Sequence, residues 1–239
     1  MEENSKNEKP DVSIVLPAYN EARNIERAVK AVIETLRKTG FKYEIIIAED
    51  GSTDGTDRIA AGLADGKKIL HLHSDERLGR GGALNRAFLS ARGDVVAFLD
   101  VDLSTDITYL PELIDKALKH GIAIGSRLKK NSITSRPIKR DIPSKVYNFL
   151  VRLLLGSKLS DHQCGFKAFR RDIILNIIPK VKDKHWFWDT EVLVVAQRMG
   201  YDIVEIPVRW KQGKETKVSV ARDSLYMFKC LLKMWLGRL

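Results

Sequence analysis

The sequence predicts an α/β fold, a mostly parallel sheet flanked by helices. Two observations carry this. Short apolar runs of strand length alternate with segments of helical period from Val12 to Ser126, the pattern of successive βαβ units. Carboxylate- and glycine-rich segments follow directly after those runs, at the edge where open parallel sheets bind ligands.

The elements read in order as follows. Residues 12–16 form an apolar run that ends at Pro17, a first strand. Ile25, Ala28, Val29, Val32, Ile33 and Leu36 recur at helical spacing until Gly40 stops them. Residues 43–48 are the next strand, 53–64 a helix, 69–73 a strand, 82–91 a helix and 95–100 a strand. Residues 110–120 are helical and 122–126 extended. Right-handed crossovers put all these strand C-termini on one edge. The second half is less regular. Residues 129–141 read as a polar, basic loop. Residues 144–155 read as a helix with Val146, Phe149, Leu150, Leu153 and Leu154 apolar. Residues 190–199 follow as helix, 201–208 as strand and 222–239 as helix. No repeat or Pro/Gly linker divides the chain. The expected organisation is a disordered lead over 1–10, one catalytic-size domain over 11–220, and a C-terminal amphipathic helix over 221–239.

Composition narrows the function. The 239 residues are 44% hydrophobic and 30% charged, enough for a core and too apolar for a disordered chain. A net charge of +10 points to an anionic partner. Two cysteines, Cys164 and Cys230, make no disulfide framework. No apolar stretch reaches the ~18 residues of a bilayer span, and the N-terminus has no signal-peptide core. A secreted disulfide scaffold or a polytopic membrane protein is not expected.

The strand ends carry the chemistry. The first runs into Pro17-Ala18-Tyr19-Asn20-Glu21, the second into Glu49-Asp50-Gly51-Ser52, the fourth into Asp100-Val101-Asp102, the fifth into Gly125-Ser126-Arg127. Two close carboxylates repel, and a divalent cation relieves them; Mg²⁺ and Mn²⁺ take oxygen ligands shared with substrate phosphates. Asp100-x-Asp102 at a strand end therefore reads as a metal–diphosphate site. Asp50 reads either as an acceptor for a ribose hydroxyl or base N–H, or as a turn residue. Asn20 reads as the cap of the following helix. Gly79, Gly81 and Gly82 would let backbone approach a phosphate, but neither G-x-G-x-x-G nor a P-loop is present. Residues 127–152 hold eight basic residues against one acid, Asp141, and directly follow a strand end; phosphate binding is expected there. His162, Cys164 and His185 match no zinc spacing. Asp189 and Glu191 read as first-turn acids of a helix or as groups facing the reaction centre. The apolar C-terminal helix, with Lys229 and Lys233, would serve a membrane surface or a homo-oligomer contact.

Seven motifs then occur in order: P-A-Y-N-E (17–21), E-D-G-S-T-D-G-T (49–56), G-R-G-G-A-L (79–84), D-V-D-L-S (100–104), G-S-R (125–127), D-H-Q-C-G-F-K (161–167) and W-D-T-E (188–191). Over residues 12–220 the chain resembles the family 2 glycosyltransferases, which have the GT-A (Rossmann-like) fold. More closely it resembles the dolichyl-phosphate mannose and glucose synthases and their archaeal relatives. The resemblance implies a nucleotide sugar, GDP-mannose or UDP-glucose, held by Pro17, Tyr19, Glu21 and Asp50. It implies Mg²⁺ or Mn²⁺ on Asp100 and Asp102, the latter catalytic. Arg127 and Arg140 would contact donor and acceptor phosphates, with Ser144 near and Lys217 adding a phosphate contact. Asp161 and Gln163 would line the sugar or acceptor side. Three departures stand out: Glu49 replaces the usual first Asp, Ser104 the usual Gln or Asp, and C-terminal membrane spans are lacking.

The implied reaction is inverting transfer of a hexose to dolichyl (polyprenyl) phosphate, peripherally on the cytoplasmic membrane face. A phosphate acceptor needs no strong base. The same fold acting on a lipid-linked oligosaccharide or other hydroxyl acceptor would need one, and Asp161 or Asp189 would become essential. A nucleic-acid module leaves Asp100-x-Asp102 unexplained, and no nucleic-acid partner is expected. A nucleotidyltransferase would release pyrophosphate.

Overall fold

A computed structural model describes residues 9–135, 138–213 and 220–237, without the side chains of 138–140, 220 and 221. Parallel strands β1 (Val12–Ala18), β2 (Tyr43–Glu49), β3 (Ile69–Leu72), β4 (Val95–Leu99), β5 (Ile122–Ser126) and β8 (Ile203–Pro207) share a seven-stranded sheet with β7 (Phe166–Arg170). The order is β3-β2-β1-β4-β7-β5-β8, and only β7 runs antiparallel, between β4 and β5. The parallel strands therefore end on one edge, and β7 begins there. A second small sheet pairs β6 (Ile133–Ser135) with β9 (Arg209–Lys211) in parallel.

Both faces of the sheet are covered, which is why its strands are continuously apolar instead of alternating. On one side α1 (Ile25–Leu36), α2 (Thr56–Leu63) and α4 (Leu110–His120) bury Val29, Val32, Ala60 and Leu113 against Ile14, Leu16 and Ile45. On the other, α3 (Arg80–Ser90), α6 (Arg171–Ile177) and α7 (Trp188–Arg198) bury Phe88, Ile174 and Trp188 against Val15, Ile46 and Phe98. A third cluster joins α7 to α5 (Ile138–Leu155) and α8 (Val220–Trp235) through Val151, Val194, Met227, Leu231 and Met234.

Several expectations need correction. The basic segment 129–141 is not one loop: it contains β6, and α5 starts at Ile138, running through Pro143. The strands β6, β7 and β9 and the helix α6 went unread because β6 and β9 have three residues each, Lys167 interrupts the apolar run of β7, and α6 is only seven residues long, too short for a helical period. Asn20 does not cap α1. That place belongs to Asn24, while Asn20, at φ 55°, accepts from the Thr53 N–H at 2.8 Å and donates its own N–H to Ser52 Oγ at 2.9 Å. It ties the β1 and β2 edges together. The lead expected over 1–10 falls mostly outside the described residues.

Candidate active site

The edge where the parallel strands end opens into a cleft of about 1180 Å³. Its floor is the turn after β4. Leu103 there takes φ 55°, a strained conformation for a bulky residue that costs about 1–3 kcal/mol and is characteristic of functional sites. The turn closes through the Leu103 N–H on the Asp100 carbonyl at 3.1 Å. Asp102 is oriented by Ser104, whose N–H and hydroxyl donate to its two oxygens at 2.9 and 2.7 Å.

Asp100 lies over a buried charge network. Arg80 Nη2 donates to Asp100 Oδ1 at 2.6 Å, and Arg80 Nη1 lies 3.3 Å from Asp189 Oδ2. Lys167, fully buried on β7, donates to Asp189 and to the Cys164 carbonyl. Burial pushes the Asp100 carboxyl up; Arg80 opposes this, and the charges of Asp102 and Asp189 push it further up. A divalent cation relieves that repulsion. Two glycines give the carboxylates room to sit there. A Cβ on Gly165 would lie 2.0 Å from Asp100 Oδ2, and one on Gly213 would lie 3.2 Å from Asp102 Oδ2. Two carboxylates with open oxygen approaches fit a hard cation of the Mg²⁺ or Mn²⁺ kind.

Arg127, directly after β5, lines the same cleft. Its Nε and Nη2 donate to both oxygens of Asp161 at 2.6 and 2.8 Å, and its own N–H adds a third bond at 3.0 Å. Burial acts to raise the Asp161 carboxyl, but the Arg127 charge and these hydrogen bonds hold it well below the usual carboxylate range. Asp161 is fully buried and does not line the cleft. The expectation that it lines the sugar or acceptor side is corrected: it orients Arg127, which does line the cleft. Gln163 lines it too.

Pro17, Tyr19, Glu21 and Asp50 all line the β1–β2 end of the cleft. Asp50 accepts from the N–H groups of Leu78 and Gly79 at 2.6 and 3.1 Å, so it also fixes the glycine-containing turn before α3. Arg77 stacks over the Tyr19 ring at 3.6 Å. Ser144, on α5, also lines the cleft with a buried hydroxyl that has no hydrogen-bond partner among the described residues. The Arg140 side chain and Lys217 lie outside the described residues.

Sequence reasoning missed Arg80, Arg77 and Lys167. Arg80 and Lys167 stand inside quoted motifs, G-R-G-G and G-F-K, where a charge among small or apolar neighbours was the available signal. Asp189 does face the cleft, whereas Glu191 accepts from the Lys182 and Asp183 N–H groups.

Comparison with known proteins agrees with this geometry. The family model described as glycosyl transferase family 2 matches residues 13–177. Glycosyltransferase AglD of Haloferax volcanii is 50% identical over 230 residues, 94% of this chain. This chain spans only 37% of that relative's length. The dolichyl-phosphate beta-glucosyltransferase of Saccharomyces cerevisiae is 31% identical, over 97% of this chain and 76% of its own. That of Drosophila melanogaster is also 31% identical, over 94% and 74%. Among solved structures, glucosyl-3-phosphoglycerate synthase from Mycobacterium tuberculosis, in complex with Mn²⁺, uridine-diphosphate and phosphoglyceric acid, superposes with a TM-score of 0.69. It covers 96% of this chain and 78% of that one at 19% identity. At that identity the likeness concerns the fold, which is GT-A.

Proposed function

The chain belongs to glycosyl transferase family 2, and we propose that it transfers a hexose, with inversion, from a nucleotide sugar to dolichyl or another polyprenyl phosphate. The observation that carries this is the meeting of both charges in one cleft. Asp100, Asp102 and Arg127 all line it, as does Ser144, whose buried hydroxyl has no hydrogen-bond partner among the described residues. Such a site brings together a diphosphate, through a cation, and a second phosphate, through arginine.

Pro17, Tyr19, Glu21 and Asp50 hold the nucleoside, and Gln163 the sugar. Arg127, with Arg140, Ser144 and Lys217, binds the acceptor phosphate so that its oxygen lies in line with the anomeric carbon. Asp100 and Asp102 hold Mg²⁺ or Mn²⁺, which when bound offsets the charge on the leaving nucleoside diphosphate. The phosphate oxygen is already anionic, so no proton must be removed. The charge pairing supports this over a hydroxyl acceptor. Asp161 is held by Arg127, and Asp189 by Lys167 and Arg80. Neither candidate base is left uncommitted. The relatives' names specify a beta-glucosyl transfer, as inversion of an α-linked donor gives, which favours UDP-glucose over GDP-mannose.

The membrane face is reached peripherally. No helix among the described residues is long and apolar enough to cross a membrane. Yet α5 exposes Ile142, Val146, Phe149 and Leu153 at helical spacing, and α8 exposes Leu225, Phe228 and Trp235. Val146 and Phe228 also line the cleft, so an isoprenoid tail has an apolar exit toward a bilayer.

The test is incubation with Mg²⁺ or Mn²⁺, a short polyprenyl phosphate, and UDP-glucose or GDP-mannose in turn. Nucleoside diphosphate and lipid-linked sugar are read by mass spectrometry. Metal-dependent glycolipid from UDP-glucose is expected. Donor turnover without glycolipid would remove the acceptor assignment.

A further inference from the structure

The paired ends of β2 and β3 carry a second group of metal-ligating side chains, outside the cleft. In the parallel register Ile47 pairs with His71 and Ala48 with Leu72. Glu49 is therefore level with His73, one residue past β3. Side chains two apart on a strand share a face, so Glu49, His71 and His73 all project to one side of the sheet. Each offers a ligand atom, and these atoms lie within 4.8 Å of one another.

The local bonding leaves that trio incomplete. Glu49 is a fully buried carboxylate. One of its oxygens accepts from the Ser52 N–H at 2.5 Å, and the other lies 2.6 Å from His73 Nδ1. His71 buries its Nε2 with no hydrogen-bond partner among the described residues. A buried polar atom without a partner is unfavourable, and a cation shared by the three would supply the missing partner. His73 is exposed, and its Nε2 lies 3.1 Å from the exposed Asp75 carboxylate, so a metal entering from that side would take the place of this contact.

We propose that Glu49, His71 and His73 form a binding site for a divalent transition metal of the Zn²⁺ class, separate from the carboxylate pair in the cleft. Two imidazoles and one carboxylate are a donor set for zinc, with bonds of about 2.0–2.2 Å, so a small inward rotation of the side chains completes it. Imidazole ligands select against Mg²⁺, whereas Asp100 and Asp102, all oxygen, favour it. The two sites therefore take different metals. The metal would fix the root of the segment running from β3 to α3. That segment places Arg77 on Tyr19 and the Leu78 and Gly79 N–H groups on Asp50.

The experiment uses untagged chain carrying Asp102→Ala, so that zinc uptake by the cleft is suppressed. Calorimetric titration with Zn²⁺ is expected to show one equivalent bound, and Mg²⁺ none. Adding His71→Ala and His73→Ala should weaken that uptake by more than about 100-fold, beyond the roughly 10–100-fold that loss of a mere supporting partner causes. Absence of uptake, or uptake undiminished by the two histidine changes, overturns the site. Should that variant fail to fold, the Co²⁺ form of Asp102→Ala decides alone. Intense tetrahedral d–d absorption with imidazole nitrogen ligands supports the site, and a weak octahedral spectrum overturns it. Neither readout depends on the glycosyl acceptor, so this site and the transferase reading fail independently.

Discussion

Arg127 and Asp161 form a two-pronged pair at 2.6 and 2.8 Å, and both side chains are almost fully removed from solvent. Breaking such a pair leaves a buried charge uncompensated, which costs about 3–5 kcal/mol. Asp161→Asn keeps the shape and removes the charge. It is expected to lower the unfolding free energy by that order and to raise the KM for lipid phosphate, because the guanidinium is no longer aimed. Urea denaturation and acceptor titration check both effects. An unchanged acceptor KM would remove Asp161 as a positioning residue.

Asp102→Ala should separate stability from turnover. The carboxylate is partly exposed and its hydrogen bonds go to Ser104, so its loss is expected to shift stability by no more than about 1 kcal/mol. Turnover should fall by about 10²–10³-fold or more, as when a preorganised electrostatic group is removed. Thermal melting beside nucleoside diphosphate release measures both. Full activity would end the assignment of the cation to this pair.

Gly165→Ala offers an independent probe of the same place. Its added methyl would lie 2.0 Å from Asp100 Oδ2, so the carboxylate must move. Overpacking of this kind costs about 1–3 kcal/mol. The informative readout is affinity for Mn²⁺, by paramagnetic relaxation, which should drop with activity. Retained Mn²⁺ affinity with lost activity would mean that Asp100 serves Arg80 and not the metal.

The Arg127–Asp161 pair shows what sequence could and could not convey. D-H-Q-C-G-F-K marked Asp161, and the strand end after residue 126 marked Arg127, but nothing in either segment announced that they meet across 34 positions. Their meeting depends on β7 inserting antiparallel between β4 and β5. A five-residue strand with a lysine at its second position hides that event. Lys167 is fully buried because Asp189, 22 residues on, neutralises it. Local hydropathy reads such a residue as surface. By contrast β1, β2, β4, β5 and α4 were legible almost to the residue. Apolar residues dominate each of them, and burial of the strands on both sheet faces leaves no competing pattern.

Acid stability should carry the signature of His162. Burial holds this imidazole near pKa 4, with Nδ1 against Asn148 Oδ1 and Nε2 against the Ser157 hydroxyl, each at 2.7 Å. The unfolded chain titrates near 6.5, so between about pH 6.5 and 4 the unfolded state binds the extra proton. The contribution is complete above 6.5 and is lost as pH falls to 4, by about 3 kcal/mol in all. His162→Gln should flatten that part of the stability–pH curve. An unaltered slope between pH 6.5 and 4 would assign the acid sensitivity to other groups.

Surface charge on the two exposed apolar stripes should separate membrane docking from chemistry. Phe149 and Leu153 on α5 are 53% and 64% exposed. Replacing either with Glu changes little inside the fold, within about 0.5 kcal/mol. The paired variant Phe149→Glu/Leu153→Glu should lose sedimentation with anionic vesicles, since the apolar face and the basic surround that act together at an interface no longer agree. Its turnover of a short, water-soluble isoprenyl phosphate should stay at the parent level, while turnover of long-chain acceptor in vesicles falls. Equal losses on both acceptors would instead place these side chains in the acceptor site itself. Undiminished vesicle binding would leave α8, with Leu225, Phe228 and Trp235, as the contact to alter next.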